Sequence, residues 1–207
     1  MADLWTLVAE ERGALADDLA GLSPEQWGSP SLCPGWTVRH IVAHLTAAAS
    51  TNPGAFVAQL AKAGFNFDKY ANAAIARRLG ADTTATLAGF RAVRASTTAP
   101  PGPKPTWIGE VVVHSEDIRR PLGIRHSYDA DALHAAANFY KGSNTLIGAK
   151  NRIGGLTLTA TDQNWSTGTG PAVEGPLVSL VLAMTGRKAH VDDLTGEGVE
   201  TLRSRCR

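Results

Sequence analysis

Three residues of this chain could hold a metal ion together: His44 in the segment WTVRHIVAHL, and Glu110 and His114 in the segment GEVVVHSEDIRRPLG. Glu110 and His114 are four positions apart, so on a helix they lie one turn apart on the same face and can contact one ion. Both segments have helical apolar spacing, and helical bundles build metal sites from side chains on facing helices. Zinc with three nitrogen or oxygen ligands keeps a fourth position open, which is typical of a catalytic ion. The triad therefore predicts a catalytic zinc site.

The three candidates do not carry equal weight. A histidine in an apolar stripe is more often a hydrogen-bonded core residue than a ligand, so His44 alone indicates little. Glu110 indicates more, because a carboxylate buried among valines needs a partner and a cation supplies one. An exposed position for Glu110 would remove that need, and this alternative stays open. His40 lies in the first predicted helical turn, where water reaches it, and we interpret it as a substrate or cofactor contact rather than a ligand.

The candidate ligands lie on helices of a predicted N-terminal bundle. Apolar residues at helical spacing predict helices over residues 4–22, 38–49, 53–63, 67–79, 82–96 and 106–120. Pro121 is expected to end the last of these. Asp117, Arg119 and Arg120 are expected to form a solvated charged helix end. The ligands would then come from two helices, with His44 on the buried side of one of them.

The pattern changes after Gly123. A further helix is predicted from Asp129 to Leu146, and the alternating segment GGLTLTATDQNW predicts a β-hairpin. The apolar run LVSLVLAMTG predicts a helix packed on this small sheet. The predicted fold class is α+β, with a helical domain at residues 1–127 and a small α+β domain at residues 128–207.

Composition excludes several classes of function. Lys and Arg total 20 against 19 Asp and Glu, so the net charge of +1 provides no field for nucleic acid or an anionic membrane. No apolar run approaches the roughly 20 residues of a membrane span, and we expect a cytoplasmic protein, monomeric or homodimeric. Cys33 and Cys206 are the two cysteines and make no disulfide framework. Cys33 has no base near it in the sequence, so we expect no functional role for either cysteine.

Three segments carry a family resemblance: CPGWTVRHIVAHL, EVVVHSEDIRRPLG and ATDQNWSTGTGPAVEGPLVSLVLAMTGR. Together they resemble the mycothiol-dependent maleylpyruvate isomerase family, which implies a DinB-like four-helix bundle. The resemblance places the family's metal histidine on His44 and its ExxxH pair on Glu110 and His114. This chain has His40 where relatives commonly have an acidic residue. The tail resembles the family's C-terminal domain, where an arginine helps bind substrate, and Arg187 is the candidate.

The resemblance also implies a reaction. An open zinc site would bind the sulfur of mycothiol and lower the pKa of its thiol, so that thiolate forms at neutral pH. The thiolate would add to a cis double bond, the single bond would rotate, and elimination would return the trans product; in other members the thiol would stay attached, as in an S-transferase. Two alternatives remain open. The metal could activate water in a hydrolase, or the protein could bind a metal or ligand without catalysis.

Overall fold

The computed structural model describes residues 3–145 and 147–206, which form two compact units divided between His126 and Ser127. The described N-terminal unit is helical. Its helices are α1 (Leu4–Ala20), α2 (Pro24–Trp27), α3 (Val38–Ala48), α4 (Pro53–Lys62), α5 (Phe67–Ala76), α6 (Thr83–Ala92) and α7 (Lys104–Leu122).

Four of these helices close a ring. Helix α1 packs against α6 and α7, and α3 packs against the same two, while α5 lies outside the ring against α3 and α4. Large apolar side chains fill the interior of the ring and are fully buried, among them Leu15, Ile41, Phe90 and Ile108. This four-helix bundle, with the α+β unit that follows it, confirms the predicted fold class.

Polar residues before the helices explain where several of them begin. A side-chain oxygen accepts a hydrogen bond from a backbone N–H of the first turn and satisfies a donor that has no partner within the helix. The residues that do so in the bundle are Asp3, Ser23, Asn52, Asn66 and Asp82.

The sequence predicted that helix α7 ends at Pro121, and the structure differs. The helix continues to Leu122 and ends at Gly123, whose φ of 68° is the left-handed conformation that glycine adopts without strain. Proline has no N–H, so it cannot donate to the carbonyl four residues earlier, which is that of Asp117. The backbone N–H of Leu32 donates to this carbonyl instead, at 3.1 Å. The proline therefore opens an attachment point for another segment.

The charged end of α7 is also different from the expectation. Asp117 and Arg119 are 0% exposed rather than solvated, and Arg120 is half-buried. Arg119 Nε donates to Oδ2 of Asp18 on α1 at 2.8 Å, and Nη2 lies 2.8 Å from the same oxygen as an ion pair. The prediction was wrong because α7 packs against both α1 and α3, which bury these charges and require them to be paired.

The C-terminal unit contains a three-stranded sheet among helices. Strand β1 (Thr157–Ala160) pairs with β2 (Ser166–Gly168) as the predicted antiparallel hairpin and with β3 (Ala172–Gly175) in parallel, so the order is β2-β1-β3. The predicted helix from Asp129 ends at Tyr140, and Leu146 lies outside the described residues. The elements are α8 (Ala130–Tyr140), α9 (Ala149–Arg152), β1 (Thr157–Ala160), β2 (Ser166–Gly168), β3 (Ala172–Gly175), α10 (Leu177–Met184), a 3₁₀ helix (Lys188–Asp193) and α11 (Val199–Ser204).

Helix α10 packs on β1 and β3, which confirms the predicted helix over the small sheet. Its apolar side chains are buried, including Leu177, Leu180 and Leu182. Among the described residues, none of the helices combines the length and the apolar character needed to cross a membrane.

Candidate metal centre

The three residues of the predicted triad meet in the N-terminal bundle. His44 comes from α3, and Glu110 and His114 come from successive turns of α7. His44 Nε2 lies 3.1 Å from Glu110 Oε1, and the two imidazole rings are 4.8 Å apart at their centroids. One ligand atom from each residue lies within 4.8 Å of the other two. Two imidazoles and one carboxylate form a donor set that suits a divalent metal such as zinc.

Glu110 is held as a carboxylate by its neighbours. Burial by itself raises the pKa of this carboxyl group, but the hydrogen bond from His44 and the charges of His44, His114 and Arg12 outweigh it and lower the pKa below its ordinary value. The side chains of His44 and Glu110 are 23% and 22% exposed, so they are open on one side. At neutral pH the triad therefore presents an ionised oxygen ligand that solvent or a ligand can reach.

A tight turn in the loop before α3 places two more side chains at the triad. The backbone N–H of Trp36 donates to the carbonyl of Cys33 at 3.0 Å, with Pro34 and Gly35 between them. Gly35 has φ of 79°, which fits the second central position of a type II turn, and proline suits the first. The amide of Leu32 ties the same loop to α7. The CPGW sequence thus fixes Cys33 and Trp36 side by side.

Cys33 is the residue of this centre that the sequence analysis missed. Its Sγ lies 3.1 Å from Asp117 Oδ2 and 3.9 Å from His114 Nδ1. The expectation of no role rested on the lack of a base nearby in the sequence, but these partners lie 81 and 84 positions further along the chain. The one available signal was the turn itself, which leads from Cys33 directly into the helix of His44.

The two histidines of the triad line a pocket of about 560 Å³ within the N-terminal unit. The indole of Trp36 stands against the histidines, with ring centroids 5.1 Å from His44 and 6.5 Å from His114. Asp68 and Asn72 are one turn apart on α5 and give the pocket a polar side. The residues that line it are Cys33, Pro34, Trp36, His44, Asp68, Ala71, Asn72 and His114.

Comparison with known families decides the relationship of this chain. Residues 8–119, more than half of the chain, match the family described as "Mycothiol maleylpyruvate isomerase N-terminal domain". The chain belongs to this family. The matched range contains His44, Glu110 and His114, and the resemblance expected from the sequence is confirmed.

Two solved structures share the fold of this family member. One is the crystal structure of the mycothiol-dependent maleylpyruvate isomerase, with 18% sequence identity and a TM-score of 0.62. The other is a histidine-to-alanine mutant of that enzyme, with 17% identity and a TM-score of 0.63. Each comparison covers 94% of this chain and 91% of the other chain. No protein with a curated description matches this chain significantly.

Two further site residues were predicted from the sequence, His40 and Arg187. His40 is the third residue of α3, where its Nδ1 accepts a hydrogen bond from the backbone N–H of Thr37 at 3.2 Å and lies 2.8 Å from the hydroxyl of Thr37. It is half-buried and caps the helix; a contact with a cofactor stays a prediction. Arg187 belongs to the C-terminal unit, where its Nη1 donates to the carbonyl of Thr185 at 3.2 Å. Its role in binding substrate likewise stays a prediction.

Proposed function

We propose that this protein is an enzyme that uses mycothiol and a divalent metal, most simply zinc, to act on a small electrophilic molecule by cis–trans isomerisation or S-transfer. The observation that carries the proposal is that His44, Glu110 and His114 bring their ligand atoms within 4.8 Å of one another in a chain of this family, with both histidines lining one pocket. Spacing along one helix accounts only for the pairing of Glu110 with His114. The fold of the bundle brings His44 of α3 to these two residues of α7.

The donor set tests whether a metal fits. Two imidazole nitrogens and a carboxylate kept ionised provide three ligands of the kind that catalytic zinc uses. His44, Glu110 and His114 would hold the ion. When bound, it would supply a Lewis acid that lowers the pKa of a thiol, so that thiolate is available without a protein base.

The residues of the chain have separate tasks around such a thiol. Glu110 contributes negative charge, which offsets part of the charge of a divalent cation. The Trp36 ring covers one side of the histidines and limits access of water from that side. Asp68 and Asn72 on α5 offer hydrogen-bonding groups to the pocket, and these suit the hydroxyl and amide groups in which mycothiol is rich.

Arg187 is our candidate for binding the electrophile. A guanidinium can form two parallel hydrogen bonds with a carboxylate, which suits an acidic substrate such as an unsaturated oxo acid. Its removal is expected to raise the KM for such a substrate more than it changes the KM for mycothiol.

The proposal is tested first by metal content. Tag-free protein purified without chelator or added metal is analysed by mass spectrometry, and about one zinc per chain is expected. Loaded protein is then mixed with mycothiol and a cis-configured unsaturated oxo acid, and the products are separated. A trans product, or a mycothiol adduct of the substrate, supports the proposal.

Two results would overturn it. A protein that binds no metal even after reconstitution with zinc would be a family member that binds a ligand without this chemistry. Turnover of a small ester or amide by the metal-loaded protein with no thiol present would instead identify a hydrolase that activates water.

A further inference from the structure

His114 has a partner outside the triad. Its Nδ1 lies 2.8 Å from Oδ2 of Asp117, one turn further along α7. The Asp117 side chain is 0% exposed, whereas the His114 side chain is 14% exposed at the pocket. An ionised carboxylate can only accept hydrogen bonds, so the proton must be on Nδ1 of the ring. In a neutral His114 the lone pair is then on Nε2.

Asp117 itself is fixed by contacts from the loop before α3. Its backbone carbonyl accepts from the N–H of Leu32 at 3.1 Å, and its Oδ2 also accepts from the Cys33 thiol at 3.1 Å. Asp117 is therefore held at both its backbone carbonyl and its carboxylate by a segment more than 80 positions away. A carboxylate held in this way can fix the orientation of the imidazole ring that donates to it.

We propose that Asp117 is a positioning residue that holds His114 with the proton on Nδ1 and with Nε2 directed to the metal. The inference rests on the proposed function, since it assumes that His114 is a ligand. In metal sites, a histidine ligand commonly donates its other ring N–H to a carboxylate, which fixes the tautomer and increases the basicity of the ligand. Asp117 would do this without touching metal or substrate.

A second arrangement uses the same atoms differently. Cys33, His114 and Asp117 also offer one ligand atom each within 4.8 Å of the others, as a separate metal cluster would. His114 Nδ1 cannot ligate an ion there while it donates a proton to Asp117. The 2.8 Å separation between Nδ1 and Oδ2 is a charge-assisted hydrogen-bond distance, and the buried carboxylate needs such a donor. The geometry thus favours the positioning role.

The chain offers a matched control for the test. His190 and Asp193 have the same spacing of three positions, but Nδ1 of His190 lies 3.9 Å from Oδ2 of Asp193, and the pair belongs to the C-terminal unit. Zinc affinity is measured by competition with a chromophoric chelator for the wild type, Asp117→Asn and Asp193→Asn. We expect affinity about 10- to 100-fold weaker in Asp117→Asn and unchanged in Asp193→Asn. Equal affinity in all three proteins would overturn the inference.

A second readout does not depend on metal loading. Nitrogen-15 NMR of the metal-free protein, at a pH where the ring is neutral, reports which nitrogen of His114 carries the proton. We expect Nδ1–H in the wild type and a shift towards Nε2–H in Asp117→Asn, because the amide can donate to Nδ1. An unfolded chain also favours Nε2–H, so the backbone amide spectrum of Asp117→Asn must first show the wild-type fold. A wild-type ring with its proton on Nε2 would overturn the inference without any variant.

The cysteine separates the two metal arrangements. If Asp117 only positions His114, Cys33→Ala should retain zinc affinity within about threefold, since the Asp117–His114 contact remains. The cobalt-loaded wild type should then lack the near-ultraviolet band of a thiolate bound to cobalt. Loss of zinc affinity in Cys33→Ala together with that band in the wild type would instead show a cluster that includes Cys33. A wild type that binds no metal would reject the proposed function, while its tautomer would still test the contact with Asp117.

Discussion

Of the three His-x-x-Asp sequences in the chain, one lies wholly within each unit, and these two are built in opposite ways. His114 and Asp117 lie in the bundle, and His190 and Asp193 lie in the 3₁₀ helix of the C-terminal unit. In the first pair the side chain of the acid is 0% exposed and that of the histidine 14%; in the second the histidine is 2% exposed and the acid 28%. The first pair thus offers its imidazole to a pocket, while the second buries it.

Each aspartate also accepts from a third side chain. Asp117 accepts from the Cys33 thiol at 3.1 Å, and Asp193 accepts from the Ser179 hydroxyl at 2.8 Å. The pairs differ in the His–Asp distance, which is 2.8 Å in the bundle and 3.9 Å in the C-terminal unit. Spacing in the sequence is therefore not sufficient to form a site. A histidine can serve as a ligand only where the imidazole, rather than the carboxylate of the pair, is the exposed member.

The largest expected difference between the pairs is in metal binding. His114→Ala removes one of three ligands and should reduce bound zinc from about one per chain to nearly none. His190→Ala should retain about one zinc per chain, because its pair lies outside the triad. Metal analysis of both proteins checks this expectation. Similar zinc loss in the two variants would remove the distinction between the pairs.

Stability should show the reverse order. His190→Ala leaves a cavity in the interior of the C-terminal unit and is expected to lower the free energy of unfolding by about 2–3 kcal/mol. His114→Asn, measured without metal, should cost less, because the ring borders a pocket that is already open and the asparagine amide can still donate to the buried Asp117 carboxylate. Urea denaturation of both metal-free variants measures the difference. A larger loss in His114→Asn would mean that the bundle pair is the more structural one.

The two donors to the aspartates are held in different ways. The Cys33 thiol reaches Asp117 from a loop with a tight turn, whereas Ser179, the donor to Asp193, lies on α10 and needs no turn. Gly35→Ala should lower the free energy of unfolding by about 1–2 kcal/mol, because a side chain disfavours φ of 79° although no atom lies within 4 Å of the added carbon. Gly54→Ala in α4 is the control and should leave stability unchanged or increase it slightly. Thermal unfolding of both proteins checks this, and equal effects would contradict a strained turn.

The smallest effect is expected at a third histidine, which belongs to neither pair. His40→Ala removes a helix-capping acceptor and should cost about 0.5–1 kcal/mol of stability. Its zinc content should stay near that of the wild type, whereas His44→Ala, one turn further along α3, should lose the metal. Zinc analysis alongside denaturation separates the two effects. Equal zinc loss in both variants would mean that the wrong histidine of α3 has been assigned as a ligand.

The sequence predicted those parts of the candidate site that depend on local spacing. Glu110 and His114 share a helix face because of the helical repeat, and His44 follows from the apolar stripe of its own helix. The sequence could not predict the partnership of Cys33 and Asp117, since it depends on how a loop meets a distant helix. Patterns along one chain do not contain that information.

The same limit explains the differences in the fold. Arg119 is buried although the sequence predicts a surface charge, because its partner Asp18 lies on another helix. The hairpin of β1 and β2 was predicted from a local turn, but the parallel pairing of β1 with β3 joins segments that no short turn connects. The individual helices and the hairpin follow from local sequence patterns, whereas the pairing of buried charges and the order of the strands are set by tertiary packing.

Pro121 has a consequence for motion as well as for helix geometry. The Asp117 carbonyl, which the proline leaves without a helical donor, accepts a hydrogen bond from the Leu32 amide. The loop therefore cannot move away without breaking this hydrogen bond, which costs free energy unless water replaces both partners. Local opening of the loop and fraying of the last turns of α7 should therefore occur as one event. The Leu32 amide should exchange its hydrogen for deuterium at a rate close to that of the amides in those turns, although it lies in a loop.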